Sequence, residues 1–175
     1  MTDSIPPEAI SALLAASSSK ARPGVRSFNQ AGSSEESLVD PSTRTNLFAI
    51  YCPRDGCGCM LLRKGDAKWV IGQAGLYDES GPFLPPPLLS SSSHTSQTAY
   101  WEIDNSPFGF ENAGFSRNIP DSIARSEAVQ KALGSGAKKL KYLICADCDL
   151  GPLGWTLDGS KQAQLGVERV GYSLS

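Results

Sequence analysis

The chain has 175 residues, with 16 Lys or Arg and 18 Asp or Glu, which gives a formal net charge of -2. This balance argues against a protein whose main partner is nucleic acid, because phosphate binding requires a clear cationic excess and no segment supplies one. No apolar run approaches the ~20 residues of a membrane helix, and no basic start precedes an apolar segment, so the sequence predicts neither a membrane span nor a signal peptide. We therefore expect a cytoplasmic protein.

Residues 1–45 are predicted to be a disordered tail. They are rich in Ser, Ala, Pro and Glu, and Phe28 is their single aromatic residue. Such a composition buries too little apolar surface to offset the entropy lost on ordering. Ile10, Leu13 and Leu14 have the spacing of a short amphipathic helix behind Pro6-Pro7, but one or two turns are marginal in water.

The folded domain is predicted to span residues 46–175. An apolar strand at 46–51 enters a cysteine-rich turn at 52–59 and returns as a strand at 60–63, which is a hairpin pattern. The Gly-containing turn at 64–66 predicts a second hairpin, leading to a strand at 67–71 in which Trp69 and Ile71 share one face.

Two insertions are predicted to interrupt this domain. Residues 77–98 contain Pro and Ser runs that indicate a surface loop, and His94, the chain's only histidine, is expected there as an exposed residue rather than a ligand. Residues 117–136 form the second insertion. It contains a helix predicted over 121–133, whose apolar face is thin enough for a peripheral element.

The other segments have strand patterns. Residues 99–104 alternate between apolar and acidic side chains, 108–115 form a bent and exposed segment, 139–145 are apolar, and 164–172 form a last strand. Together these segments predict a small, mainly β domain. Its core is thin, and a structural metal would add stability to it.

Four cysteines are predicted to form one zinc site. Cys52 and Cys57 flank the first turn, and Cys145 and Cys148 follow the apolar strand in a Cys-x-x-Cys turn. Thiolates from two such turns suit tetrahedral zinc, and turn N–H groups can stabilise their charge. Four protein ligands leave no open coordination position, so no catalytic role follows. Cys59 is left outside the site, because a ligand pair with Cys57 across one residue is strained.

Two other interpretations of the cysteines are open at this point. One is a set of buried free thiols, and the other is a redox Cys-x-x-Cys pair. The second pair at a matching turn favours zinc over both, and a reducing compartment favours metal ligation over disulfides.

Three segments resemble the Mss/Dss family, the Rab-interacting factors that suppress secretory Rab mutants in yeast. They are Phe-Glu-Asn-Ala-Gly-Phe-Ser-Arg at 110–117, Lys-Tyr-Leu-Ile-Cys-Ala-Asp-Cys-Asp-Leu-Gly-Pro-Leu-Gly-Trp at 141–155, and Val-Glu-Arg-Val at 167–170. The resemblance covers residues 46–172 apart from the insertions. The wider first cysteine pair is similar to the fungal branch, while Cys59 departs from the family pattern.

The resemblance implies a twisted, tent-like β fold with one structural zinc. It also implies a monomeric protein that binds nucleotide-free Rab GTPases and promotes GDP release in vesicle transport and exocytosis. This activity works by binding, so the protein is not expected to be an enzyme. It is expected to reach secretory membranes only transiently, through Rab. The family's contact acid matches Asp147, and its Rab-facing segment matches Phe110, Glu111 and Asn112. The alternative is a methionine sulfoxide reductase-like enzyme on a related zinc fold. It needs a further cysteine near the C-terminus and a histidine in a pocket, which the sequence does not offer.

Overall fold

The computed structural model describes residues 24–73, 97–106, 108–116, 119 and 121–174. Within these residues the chain forms ten strands: β1 Val25–Arg26, β2 Ile50–Tyr51, β3 Met60–Leu62, β4 Lys68–Gln73, β5 Gln97–Ile103, β6 Ala113–Phe115, β7 Leu140–Cys145, β8 Gly154–Leu157, β9 Ala163–Gly166 and β10 Gly171–Ser173. The same residues contain three short α-helices: α1 Glu35–Leu38, α2 Asp121–Ala124 and α3 Glu127–Leu133. The predicted mainly β fold is therefore confirmed.

The strands form two antiparallel sheets. The smaller sheet has the order β1-β10-β2-β3, and the larger has the order β4-β5-β9-β8-β7-β6. A turn of 3-10 helix at Val167–Arg169 carries the chain from β9 in one sheet to β10 in the other. No helix among the described residues is long and apolar enough to cross a membrane.

The main core draws residues from both sheets. Ile50 and Tyr172 from the smaller sheet are buried in one cluster with Trp101, Leu143 and Leu165 from the larger sheet. Trp101 and Ile103 lie on the same buried face of β5, as its alternating sequence predicted.

A second, smaller cluster lies on the opposite face of β7. Leu140 and Tyr142 pack there against α2, α3 and the 3-10 turn at Gly134–Lys139, with Val129 fully buried. The predicted helix therefore consists of two short helices, because Ser126 accepts a hydrogen bond from the Val129 N–H and starts a new helix. It is a core element rather than a peripheral one.

Position 154 requires glycine because β8 approaches β9 closely there. A Cβ atom at this position would lie 2.1 Å from the Gln164 carbonyl oxygen. Only glycine fits such a contact between backbones.

The predicted tail boundary at residue 45 is wrong for residues 24–45. β1 pairs with β10, α1 follows an N-cap at Ser34, and Leu38 and Val39 are buried. The order of this segment depends on a strand near the other end of the chain, which no local pattern reveals. The possible helix at 6–14 and His94 lie outside the described residues.

Three strand predictions also need correction. β3 and β4 flank the turn at 64–66 but belong to different sheets, so they do not form a hairpin. The single strand predicted over 164–172 is divided between β9 and β10. The strand after the first insertion begins at Gln97, inside the range predicted as loop. A period-two pattern identifies a strand but not the sheet that it joins.

Candidate metal centre

The sulfur atoms of Cys52, Cys57, Cys145 and Cys148 all lie within 4.8 Å of one another. The Sγ atoms of Cys52 and Cys148 are 3.6 Å apart, and so are those of Cys57 and Cys145. All five cysteines are free of disulfides. The structure therefore brings together the four residues that the sequence singled out.

Two turns hold these sulfur atoms in place. In the first, the Cys52 N–H donates to the Cys59 carbonyl oxygen at 2.8 Å, and the Cys57 N–H donates to the Arg54 carbonyl oxygen at 3.2 Å. In the second, the Asp149 N–H donates to the Cys145 carbonyl oxygen at 2.9 Å. Arg54 joins the turns, because its Nη1 donates to the Cys148 carbonyl oxygen at 2.8 Å.

Backbone N–H groups point at three of the sulfur atoms. Each comes from the residue two positions further along the chain: Arg54 donates to Cys52, Cys59 to Cys57, and Leu150 to Cys148. Such bonds stabilise negative charge on sulfur. This is the arrangement expected of turns that carry metal-bound thiolates.

Burial opposes the ionisation of two of these thiols. It raises the pKa of Cys57 to about 12 and also raises the pKa of Cys52. Desolvation acts in the same direction on Cys148, but the Leu150 N–H and the neighbouring thiols hold the pKa of Cys148 below its ordinary value. A bound cation would offset the cost of ionising Cys52 and Cys57.

The donor set fits zinc. Four sulfur donors from two separated turns match the tetrahedral, closed coordination of structural zinc sites, and the thiolates' preference for zinc over hard cations excludes magnesium and calcium. Cys52 and Cys145 are buried, while Cys57 and Cys148 are partly exposed. The centre thus lies at the edge of the main core rather than inside it.

Asp147 and Cys59 lie beside this centre. One carboxylate oxygen of Asp147, the Cys57 sulfur and the Cys59 sulfur are within 4.8 Å of one another. The Cys57 Sγ is 3.6 Å from Asp147 Oδ2. Asp147 is exposed on the turn between the last two cysteines.

The predicted partner-binding segment is adjacent to the same turn. The Ala146 N–H donates to the Asn112 carbonyl oxygen at 2.9 Å, and β6 pairs with β7. The Asn112 side chain donates to the Met60 carbonyl oxygen, and Glu111 forms an ion pair with Arg63. Glu111 and Asn112 are therefore held by β3 and the residue that follows it.

Phe108, two residues before this segment, is more exposed than Phe110. Phe110 is half-buried against the main core, whereas Phe108 is 85% exposed. Phe108 lies between a proline and a glycine, a turn context that could have marked it as exposed. Phe108 lines a groove of about 410 Å³ together with Lys68 and Asp104.

Comparisons with known proteins agree with this architecture. Residues 45–172 match the family model described as Mss4 protein. Protein DSS4 of Saccharomyces cerevisiae (strain ATCC 204508 / S288c) is 49% identical over 74 residues, which cover 38% of this chain and 51% of the yeast protein. The match therefore spans about half the length of that relative.

Proposed function

Because the chain belongs to the Mss4 family, we propose that it binds Rab GTPases, stabilises their nucleotide-free form and promotes GDP release. It acts by binding rather than by covalent catalysis. Cys52, Cys57, Cys145 and Cys148 hold one zinc ion, which fixes the two turns and has no open position for water. The comparisons do not favour the methionine sulfoxide reductase alternative.

One observation supports the proposed binding surface. The hydrogen bond from the Ala146 N–H to the Asn112 carbonyl oxygen joins the turn that bears Asp147 to the segment that bears Glu111 and Asn112. We assign both to the Rab-binding surface, together with Phe108, an exposed aromatic ring that precedes this segment in the chain. An exposed carboxylate and an exposed aromatic ring suit a partner that offers a cation and an apolar patch.

The chemistry of a Rab nucleotide site explains how Asp147 can act. A GTPase of this type holds its nucleotide through a phosphate-binding loop, a lysine and magnesium. A carboxylate brought to this site competes with the phosphates for the lysine and is favoured only when the nucleotide has left. The zinc centre beside Asp147 carries a net negative charge, which strengthens the attraction for a cation.

The rigidity of the Asp147 turn makes this competition effective. Backbone hydrogen bonds fix the residues on both sides of Asp147, from Ala146 to Asn112 and from Asp149 to Cys145. A side chain on a fixed turn loses little entropy on binding. The protein shifts the Rab equilibrium by the difference between its affinities for the empty and the nucleotide-bound forms.

The test is a panel of purified Rab GTPases loaded with fluorescent GDP and mixed with the full chain. We expect at least one Rab to release GDP faster and to form a complex that survives gel filtration without nucleotide. Added GDP or GTP should dissociate that complex. A panel in which no Rab shows either behaviour contradicts the proposal.

Phe108 provides a variant that separates binding from folding. Phe108→Ala should weaken the complex by roughly tenfold or more, since removal of an aromatic anchor costs about 2 kcal/mol. Ile71, which is 60% exposed on β4, is the matched control. Ile71→Ala should leave Rab binding unchanged, and equal effects of the two variants would contradict the assigned surface.

A further inference from the structure

Cys59 is the one cysteine outside the four-thiol centre, yet it borders that centre closely. Its sulfur lies within 4.8 Å of both the Cys57 sulfur and an Asp147 carboxylate oxygen. A fifth sulfur donor therefore lies beside one member of the centre, Cys57, and beside the carboxylate that faces it.

Glycines flank Cys57 on both sides. Gly56 has φ 91° and Gly58 has φ 62°, both in the region that favours glycine. Residues without a Cβ restrict the backbone less than any other residue type. The Cys59 carbonyl, in contrast, is fixed by its hydrogen bond from the Cys52 N–H.

We propose that Cys59 is a reserve ligand, which takes the place of Cys57 when Cys57 leaves the zinc. The proposal rests on the four-cysteine centre of the proposed function. In the exchange, the bond from zinc to the Cys57 sulfur breaks and the bond to the Cys59 sulfur forms. The Cys59 thiol gives up its proton and the Cys57 sulfur takes one up, so charge and coordination number are unchanged.

The position of Asp147 supports this exchange. Its Oδ2 atom lies 3.6 Å from the Cys57 sulfur, in the geometry of a carboxylate accepting a hydrogen bond from a thiol. A protonated Cys57 released from the metal therefore has an acceptor beside it. The zinc keeps four thiolates, which it prefers to a coordination shell completed by water in a closed structural site.

The same three donors could instead bind a second cation. Cys57 would then bridge two metals, which brings a second positive charge close to the first. Two thiols and one carboxylate leave that second site short of ligands. Metal stoichiometry distinguishes the two arrangements, because the reserve-ligand exchange needs only one ion per chain.

Cobalt substitution tests the proposal, because thiolate-to-cobalt absorption reports how many sulfur ligands the metal has. The full chain is compared with Cys59→Ser, Cys57→Ser and the double variant. We expect the wild type and both single variants to bind one cobalt with the absorption of four thiolates. The double variant should lose about a quarter of that absorption and bind zinc at least about tenfold more weakly than either single variant.

Alkylation gives a second measurement on the zinc-loaded proteins. N-ethylmaleimide should modify Cys59 alone in the wild type, as identified by mass spectrometry of peptides. In Cys57→Ser, Cys59 should be protected until a chelator removes the zinc. Cys57→Ala repeats the test without the serine hydroxyl.

The outcomes distinguish a failure of the four-cysteine centre from a failure of the reserve ligand alone. A wild type without a four-thiolate spectrum overturns the four-cysteine centre and the reserve ligand with it. A normal wild type together with three-thiolate or metal-free Cys57→Ser and Cys57→Ala proteins overturns the reserve ligand alone. Two cobalt ions per wild-type chain also overturn it, because Cys59 would then belong to a second site.

Discussion

The two faces of β7 are stabilised in different ways. Leu143 and Cys145 face the main core, where packing between the sheets gives way to the thiol centre at the end of the strand. Leu140 and Tyr142 face the helices, where small and aliphatic side chains complete the contact. The surface proposed to bind Rab lies at the metal end. Its shape therefore depends on coordination more than on hydrophobic burial.

Removal of zinc should have the largest effect on stability. It should destabilise the metal centre before it destabilises the helices that cover the other face of β7. A chelator should destabilise the protein by more than any single substitution, since structural zinc in small domains contributes on the order of 10 kcal/mol. Hydrogen exchange should accelerate first in residues 52–59 and 145–150, and later in 121–139. Simultaneous loss of protection in all three segments would show that the two faces unfold as one unit.

The pH dependence of the metal end should have opposite signs with and without zinc. Zinc must displace protons from thiols whose pKa burial has raised, to about 12 for Cys57, so zinc affinity should fall as pH falls. In the metal-free protein the fold favours the neutral Cys57 thiol, whose pKa is raised, and this preference stabilises the folded state. The stabilisation is complete below the ordinary thiol pKa near 9.0 and is lost as pH rises toward about 12.

Thermal unfolding of the two forms across pH measures these signs. The zinc-loaded protein should lose its extra stability on the acid side, and the metal-free protein should weaken on the alkaline side. Parallel profiles for the two forms would contradict the coupling between thiol ionisation and metal binding.

Two leucines on β7 compare the packing of its faces directly. Leu143→Ala and Leu140→Ala remove the same atoms from buried positions, and each should cost about 2–5 kcal/mol. Leu143 should be at the upper end of this range, because the main core lies between two sheets and cannot collapse around the cavity. The short helices over Leu140 can move inward. Denaturant unfolding measures both, and a larger loss for Leu140→Ala would reverse the ranking.

Tyr172 should have a smaller effect, through hydrogen bonds buried inside the main core. Its hydroxyl accepts from Trp101 Nε1 at 2.9 Å and donates to the Val167 carbonyl oxygen at 2.7 Å. Tyr172→Phe leaves both groups without this partner and should cost about 1–3 kcal/mol. Zinc content should not change. A variant with lower zinc content would show that these hydrogen bonds and the metal centre are coupled.

The zinc site could be predicted because its sequence pattern lies in two short segments. Each cysteine pair flanks a short turn after an apolar strand, and four thiol ligands favour zinc whatever the rest of the fold is. The assignment of Asp147, Phe110, Glu111 and Asn112 to a partner surface came only from the family resemblance, since residue spacing gives no pairing of β6 with β7. It stays a prediction for Phe110, which packs partly against the main core, whereas Phe108 is far more exposed.

The sheet arrangement could not be predicted because it depends on distant pairing. β1 is a two-residue strand in a polar segment and is ordered by β10 at the other end of the chain. The helices over Leu140 show too few apolar residues to reveal a core element, yet together with the turn at Gly134–Lys139 they cover one face of β7. In both cases tertiary contacts decide a structure that local propensity leaves open.

The most direct test of the central claim uses a pair of charge-removing substitutions in one turn. Asp147→Asn and Asp149→Asn each remove one exposed carboxylate, and asparagine tolerates the positive φ of 58° at Asp149. Both variants should keep one zinc and change the stability by less than about 0.5 kcal/mol. Binding to a nucleotide-free Rab is the quantity to measure.

We expect Asp147→Asn to weaken the complex with the empty Rab by roughly tenfold or more, since one charged hydrogen bond contributes about 1.5–3 kcal/mol. Asp149→Asn should bind the Rab like the wild type. Wild-type affinity and GDP release in a zinc-loaded Asp147→Asn protein would contradict the account, because the cysteine turn would then have a structural role only.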